Sequence, residues 1–232
     1  MSKQSAEGNE PQNVFGTKVD DQFVKKKFPE FETLEVNAAD KSYFAYRLKE
    51  AVQKGTTYKA YMQTLRKIIE QQPDTDNKKY TICEIYNATG SPIHLLKKHH
   101  DFSGHILGDN YFPVTIENGQ LAVVLHEGSS AAVIYTGQNY NGKPYAWLHA
   151  WENERDDDKR YVFTEIEKPE HYDSDDWNLV SSKLTQESPF HDDLKGSYSE
   201  ASIRGDEDKH DNVCIYSGIL TLEWGFPLFS IN

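Results

Sequence analysis

The chain has 232 residues, 37% of them hydrophobic and 12% aromatic, so it can bury a sizeable core and does not have the composition of a disordered chain. Its 37 acidic residues outnumber 25 basic ones, and the net charge of −12 disfavours nucleic acid and anionic lipid as partners. No apolar run reaches the roughly 20 residues of a transmembrane helix, and the N-terminus lacks the apolar region of a secretory signal. We therefore expect a cytoplasmic protein.

Two amphipathic helices are predicted after a polar segment, residues 1–16, which we expect to be disordered. Asn37 can cap the first helix, with Asp40 near the positive end of the helix dipole, and Gly55 suits its end. The second helix carries apolar residues at helical spacing, namely Tyr58, Tyr61, Met62, Leu65, Ile68 and Ile69. Residues 17–79 are therefore predicted to form an αα-hairpin element.

Short β-type runs alternate with turn residues from Tyr80 onward. The asparagine and glycine of the turn 117–120 favour a tight hairpin. A short helix is predicted near 177–184, within an otherwise polar stretch. The predicted strands are 81–87, 93–98, 112–116, 121–126, 131–136, 145–151, 161–167, a strand around 203, 213–217 and 219–224. The predicted fold class is α+β and mainly β, with an antiparallel β-sandwich over 80–232 preceded by the αα-hairpin.

The metal-ligating residue types do not fall into a recognisable site. Neither the nine histidines nor the two cysteines, Cys83 and Cys214, show the paired spacing of zinc sites. Acidic clusters occur near 156–158, 173–176 and 206–208, and none fits the calcium loop of an EF-hand, although a weak calcium site near 173–176 stays open. We predict no metal site and no cofactor, and we expect both cysteines to be reduced thiols in the core.

An aromatic strand gives the first candidate for a binding site. Tyr145, Trp147 and Trp151 share one face of a predicted strand, and Tyr135 and Tyr140 lie close by in sequence. If exposed, such a face can stack on sugar rings or bind a choline group through cation–π attraction. The same residues can equally form the aromatic core of a sandwich.

A histidine beside a carboxylate gives the alternative, catalytic candidate. Polar residues interrupt apolar strands at His105 and again at His126 and Glu127. A loop histidine with a nearby carboxylate can act as a general acid–base pair. The choice between binding and catalysis depends on which groups converge in a pocket.

Several sequence blocks, taken in order, resemble the jasmonate-induced proteins of plants over roughly residues 14–224. The blocks are 82–90 (ICEIYNATG), 104–106 (GHI), 111–113 (YFP), 116–120 (IENGQ), 125–126 (LH), 130–135 (SAAVIY) and 219–223 (ILTLE). A weaker similarity, carried by the Asn-x-Thr-Gly turn and the late Leu-Thr-Leu-Glu strand, links the chain to aegerolysin and actinoporin-like sandwiches, which bind membrane lipids.

The resemblance implies a plant stress or defence protein and supplies no catalytic residues. Combined with the residues, it predicts non-catalytic binding of a neutral carbohydrate or lipid head group by Tyr135, Tyr145, Trp147 and Trp151. The alternative is an enzyme that acts on a small plant metabolite through His105 or His126 with Glu127. Neither hypothesis involves nucleic acid or a transmembrane segment.

Overall fold

A computed structural model describes residues 13–73, 78–108, 111–153, 159–174, 177–206 and 212–223, without the side chains of 98–103. The helices are α1 (Asp21–Lys27), α2 (Ala38–Lys54), α3 (Thr56–Glu70) and α4 (Trp177–Lys183), with 3₁₀ turns at Pro29–Phe31 and Pro169–Asp173. The strands are β1 (Val14–Gly16), β2 (Tyr80–Ala88), β3 (Ile93–Ile106), β4 (Thr115–Ile116), β5 (Gln120–Gln138), β6 (Pro144–Asn153), β7 (Arg160–Glu167), β8 (Phe190–Leu194), β9 (Ser197–Gly205) and β10 (Val213–Leu222).

The long strand β5 belongs to two layers of sheet. Its first half pairs with β1 and β2, and the sheet continues through β10 and β9 to β8; we call this layer one. Its second half pairs with β6, which pairs with β7, while β3 and the short β4 lie on the other side of β5; we call this layer two. The pairings are antiparallel except for β2 with β10, which run parallel with Tyr80 beside Val213.

Three apolar clusters fill the spaces around these layers. The first lies between the layers and contains Trp147, Trp151 and Tyr216. The second lies between the outer face of layer one and helices α1–α3, and the third between the outer face of layer two and α4 with its preceding 3₁₀ turn. The αα-hairpin therefore packs on the sandwich. None of the described helices is long and apolar enough to cross a bilayer.

The hairpin forms where its local signals predict it. The Asn37 side chain accepts a hydrogen bond from the Asp40 amide, and the Asp40 carboxylate accepts one from the Asn37 amide, so both halves of a capping box are present. Gly55 alone separates α2 from α3. Buried polar groups then fasten the hairpin to layer one, because the Tyr86 hydroxyl donates to the Ala45 carbonyl at 2.6 Å.

A buried carboxylate lies beneath the hairpin. Glu84 of β2 is 1% exposed and accepts hydrogen bonds from the Tyr58 hydroxyl and from the Gln53 amide at 2.9 Å. Burial raises the pKa of Glu84, and the hydrogen bonds from Tyr58 and Gln53 oppose that rise. The polar contact therefore fixes the position of α2 and α3 over layer one, because a misplaced helix would leave the carboxylate unpaired.

Several strand boundaries differ from the predictions. The runs 121–126 and 131–136, predicted as separate strands, form one strand, β5, which continues through Gly128 with its φ of 134°. Likewise 213–217 and 219–224 are predicted as two strands, whereas β10 runs unbroken to Leu222. The predicted strand 112–116 is reduced to β4. Two strands, β8 and β9, form over 190–205, where the sequence predicted only a strand around 203. Val14–Gly16, predicted to be disordered, pairs with β5, and residues 1–12 lie outside the described residues.

Candidate functional site

The aromatic strand lies inside the sandwich. Tyr135, Trp147 and Trp151 are 0% exposed and Tyr145 is 7% exposed, and all four belong to the cluster between the layers. The Tyr135 hydroxyl donates to the Pro113 carbonyl at 2.9 Å, and the Trp151 ring contacts the Tyr216 ring at 5.0 Å between centroids. Side chains with little or no exposed surface have no ring face to offer a ligand, so this structure supports the core interpretation of these four residues.

The catalytic candidates are divided between two environments. His126 is fully buried, and its ring meets the Trp151 ring edge-on. His105 is exposed and lies opposite Glu127 in the pairing of β3 with β5, beside a cavity of about 230 Å³. The Glu127 carboxylate accepts from the Lys78 ammonium at 3.0 Å. His126 and Glu127 point to opposite faces of β5, so the structure brings only His105 near Glu127.

The metal-binding candidates remain dispersed. No group of three or more potential metal ligands occurs within the described residues. Asp175 and Asp176 lie outside them, as do the cluster 156–158 and residues 207–208, so the calcium suggestion near 173–176 stays a prediction. Cys83 and Cys214 are buried and are not joined by a disulfide, and burial raises the pKa of the Cys83 thiol.

A pocket with aromatic and charged walls lies elsewhere, on the outer face of layer two. It has a volume of about 170 Å³ and opens beneath α4 and the turn Pro169–Asp173; we call it the helical-cap pocket. Ile134 of β5 and Leu148 of β6 contribute to its apolar wall. The remaining lining residues are Glu165, His171, Tyr172, Ser174, Trp177, Leu179, Val180 and Lys183.

A small ionic cluster forms the polar wall of the helical-cap pocket. The Glu165 carboxylate forms an ion pair with the Lys183 ammonium and lies 3.6 Å from Nε2 of His171. The Tyr172 hydroxyl lies 3.3 Å from the Glu165 carbonyl, to which it can donate. Burial, together with the nearby Glu165 charge, raises the pKa of Tyr172, so its hydroxyl stays protonated.

Two short elements hold the pocket walls in place. Pro169 begins the 3₁₀ turn, which buries Tyr172 against layer two. In α4, Trp177 and Val180 are three residues apart and pack on the sheet, whereas Leu179 is directed away from it and is 47% exposed. The α4 side chains therefore cover the sheet only in part, and the pocket opens where that cover ends.

Part of this pocket is indicated by the sequence, although none of the predicted site residues belongs to it. Tyr172, Trp177, Val180 and Leu184 are apolar residues in a largely polar stretch, and the last three follow helical spacing. The helix itself was predicted near 177–184 and forms at Trp177–Lys183. Its position over Glu165 depends on long-range packing that the spacing does not contain.

Comparison with known proteins identifies relatives of the whole fold. Residues 15–213 match the family model of Nakanori-like proteins. A jasmonate-induced protein homolog from Atriplex canescens is 30% identical over 95 residues, which are 38% of this chain and 51% of that protein, so the chain spans about half the length of this relative. The resemblance to jasmonate-induced proteins is thereby confirmed.

A solved structure has the same fold. The crystal structure of the lipid binding protein Nakanori matches with a TM-score of 0.70 and 20% sequence identity, over 89% of this chain and 98% of that one. The match confirms a mainly β fold accompanied by helices.

Proposed function

Since the chain belongs to the Nakanori-like protein family, we propose that it binds a lipid head group without catalysis and that the helical-cap pocket is the binding site. The lipid class of ligand is suggested by the structural similarity to Nakanori, which is a lipid binding protein. The site is suggested by one observation, which is the combination of the Tyr172 and Trp177 rings with the Glu165–Lys183 ion pair in a single pocket.

A zwitterionic head group of the phosphocholine type fits this combination. A quaternary ammonium is attracted to the faces of tryptophan and tyrosine rings, which Trp177 and Tyr172 supply. The phosphate can accept hydrogen bonds from the Lys183 ammonium and from an N–H of the His171 imidazole. The pocket is large enough for a head group but not for a whole lipid, so the acyl chains remain in the membrane.

The overall charge favours a head group without net charge. At −12 the protein is repelled by an anionic membrane surface, whereas a zwitterionic surface carries no such penalty. Leu179, 47% exposed at the pocket mouth, offers an apolar contact for the membrane interface.

Vesicle co-sedimentation tests this proposal. We expect binding to phosphatidylcholine vesicles, weak binding to phosphatidylglycerol vesicles, and competition by free phosphocholine. Trp177→Ala should weaken binding by about tenfold, because it removes a ring face worth on the order of 1–2 kcal/mol to a desolvated cation. Tyr111→Ala is the matched control, since Tyr111 is a 62% exposed aromatic residue that does not line the pocket.

Two results would count against the site. Equal binding by Trp177→Ala and the unaltered chain would show that the pocket is not used, provided that both melt at the same temperature. Preference for phosphatidylglycerol would contradict a zwitterionic ligand. Vesicles that contain a neutral glycolipid test whether the ligand is a carbohydrate head group. Binding to these vesicles alone would show that the ligand is a sugar and not phosphocholine.

A further inference from the structure

A second, larger groove lies on the opposite side of the sandwich, between β1, α1, α2 and the start of α3. We call it the hairpin groove. It has a volume of about 500 Å³, which falls within the range of small-ligand sites. Phe15, Phe23, Leu48 and Val52 form its apolar walls, and Ala51 lies at an exposed part of its rim.

Two glycines keep the floor of the hairpin groove thin. Gly16 has a φ of 99°, and a Cβ atom there would lie 2.5 Å from the Gly119 carbonyl oxygen. Gly119 has a φ of 88°, and a Cβ atom there would lie 2.6 Å from the Thr17 carbonyl oxygen. Any larger residue at either position would strain the backbone and push the neighbouring carbonyl group away.

The polar part of the hairpin groove is positive. Lys27 is the one charged residue among the described residues that line the groove. No carboxylate of the described residues forms an ion pair with it. Gly55 and Thr57 bring the N-terminus of α3 to the same groove, and in the described structure no side chain caps that terminus and no acidic residue occupies its first turn. The positive end of the helix dipole therefore adds to the charge of Lys27.

An apolar groove with a cationic end is complementary to a single-chain amphiphile with an anionic head. We propose that the hairpin groove binds a fatty acid, with its hydrocarbon chain against Phe15, Phe23, Leu48 and Val52. The carboxylate then lies at Lys27 and the amide groups of the first turn of α3. This site is separate from the helical-cap pocket and takes a ligand of a different class.

Isothermal titration of the full chain with laurate, below its micelle-forming concentration, tests the proposal. We expect saturable binding of one laurate per chain. Lys27→Gln should weaken laurate binding by about tenfold, or about 1.4 kcal/mol, but leave 1-dodecanol binding nearly unchanged, because only laurate carries the charge. Lys26→Gln is the matched control, since Lys26 is an exposed residue of α1 that does not line the groove.

A blocking variant separates groove binding from non-specific adsorption. Ala51→Trp should fill the groove from its exposed rim and abolish laurate binding, whereas Glu50→Trp, at a neighbouring exposed position of α2 outside the groove, should bind as the unaltered chain does. Melting temperatures establish that both variants are folded. The proposal is overturned if Ala51→Trp binds laurate normally or if Lys27→Gln has no effect.

Other occupants of the groove give different results. Sedimentation shows whether the unaltered chain forms a dimer. If it does, if Ala51→Trp abolishes that dimer and if laurate does not bind, a second copy of the chain occupies the groove and the fatty-acid proposal is overturned. Laurate binding should also survive Trp177→Ala, because that residue lies in the helical-cap pocket. Loss of laurate binding in Trp177→Ala would contradict the hairpin groove as the site.

Discussion

The two outer faces of the sandwich are both apolar sheet surfaces, yet helices cover them to very different extents. Layer one lies beneath three helices, two of which have 17 and 15 residues and are fastened by buried hydrogen bonds such as that from Tyr58 to Glu84. Layer two lies beneath the seven-residue α4 and a 3₁₀ turn, and its cover leaves the helical-cap pocket open. The thickly covered face contributes more to stability and, in our proposal, holds a free fatty acid between its helices, whereas the thinly covered face leaves sheet surface open to a membrane head group.

The largest expected effect is on the stability of the thickly covered face. Leu65 of α3 is 2% exposed, so Leu65→Ala should lower the free energy of unfolding by about 2–5 kcal/mol through lost burial and a cavity. Urea denaturation measures this change. The matched substitution Val180→Ala on α4, at a residue 9% exposed, should cost only about 1 kcal/mol. Equal losses at the two positions would remove the contrast between the faces.

The pH dependence of stability tests the core that both faces share. His149 is fully buried with its Nδ1 2.8 Å from the Tyr216 hydroxyl, and burial lowers the pKa of His149 from 6.5 to about 3. The unfolded chain therefore binds a proton more readily, so the stability from neutral His149 is complete above pH 6.5 and is lost as the pH falls toward 3. We expect a loss of about 2 kcal/mol between pH 7 and pH 5.

Glu84 has the opposite effect on the pH profile. Because its pKa is raised, Glu84 keeps its proton to a higher pH in the folded chain than in the unfolded chain. Glu84 therefore favours folding at low pH, and this contribution is lost as the pH rises through the raised pKa. The difference between the profiles of the unaltered chain and His149→Asn isolates the histidine. A difference that does not change from pH 7 to pH 5 would show that His149 does not titrate as its burial requires.

The hydrogen bond from Tyr58 to Glu84, which attaches the hairpin to layer one, should make a smaller contribution to the free energy of unfolding. Tyr58→Phe removes the hydroxyl that donates to Glu84, leaving a buried carboxylate with one donor fewer, at a cost of about 1–3 kcal/mol. Chemical denaturation at pH 7 measures it. The double variant with Glu84→Gln should lose less than the sum of the single changes, because the two side chains interact directly. Additive losses would contradict that coupling.

The smallest change concerns the start of α2. Asn37→Ala removes the side chain that caps the helix and should cost about 1 kcal/mol. Asn37→Asp keeps an acceptor at the same position and should retain most of the stability. Because the cap lies on the thickly covered face, vesicle binding by the folded Asn37→Ala variant should equal that of the unaltered chain, and weakened binding would argue against separate roles for the faces.

The hairpin was predictable because its signals are local. Asn37, Asp40 and Gly55 determine where α2 begins and ends, and each acts within a few residues. The parallel pairing of β2 with β10 joins distant parts of the chain, and neither strand's residues specify that partner. Likewise the sequence predicted separate strands at 121–126 and 131–136, whereas β3 pairs with residues on both sides of Gly128 and β5 runs through it.

The candidate sites were predictable only in part. The spacing of Tyr145, Trp147 and Trp151 correctly placed them on one face of a strand, but alternation alone does not tell whether that face meets solvent or a second layer. His105 and Glu127 meet across a strand pair, whereas His126 faces the core. The helical-cap pocket combines residues from β5, β6, β7 and α4, so it exists only once the chain has folded.

Hydrogen exchange of the full chain, with and without phosphatidylcholine vesicles, tests the contrast between the two faces most directly. Slower exchange of residues 169–174 and 177–183 on vesicle binding, with unchanged exchange across α2 and α3, is the result we predict. Protection of α2 and α3 with none at 169–174 and 177–183 would contradict the account, because the membrane lipid would then bind at the hairpin and not at the helical-cap pocket.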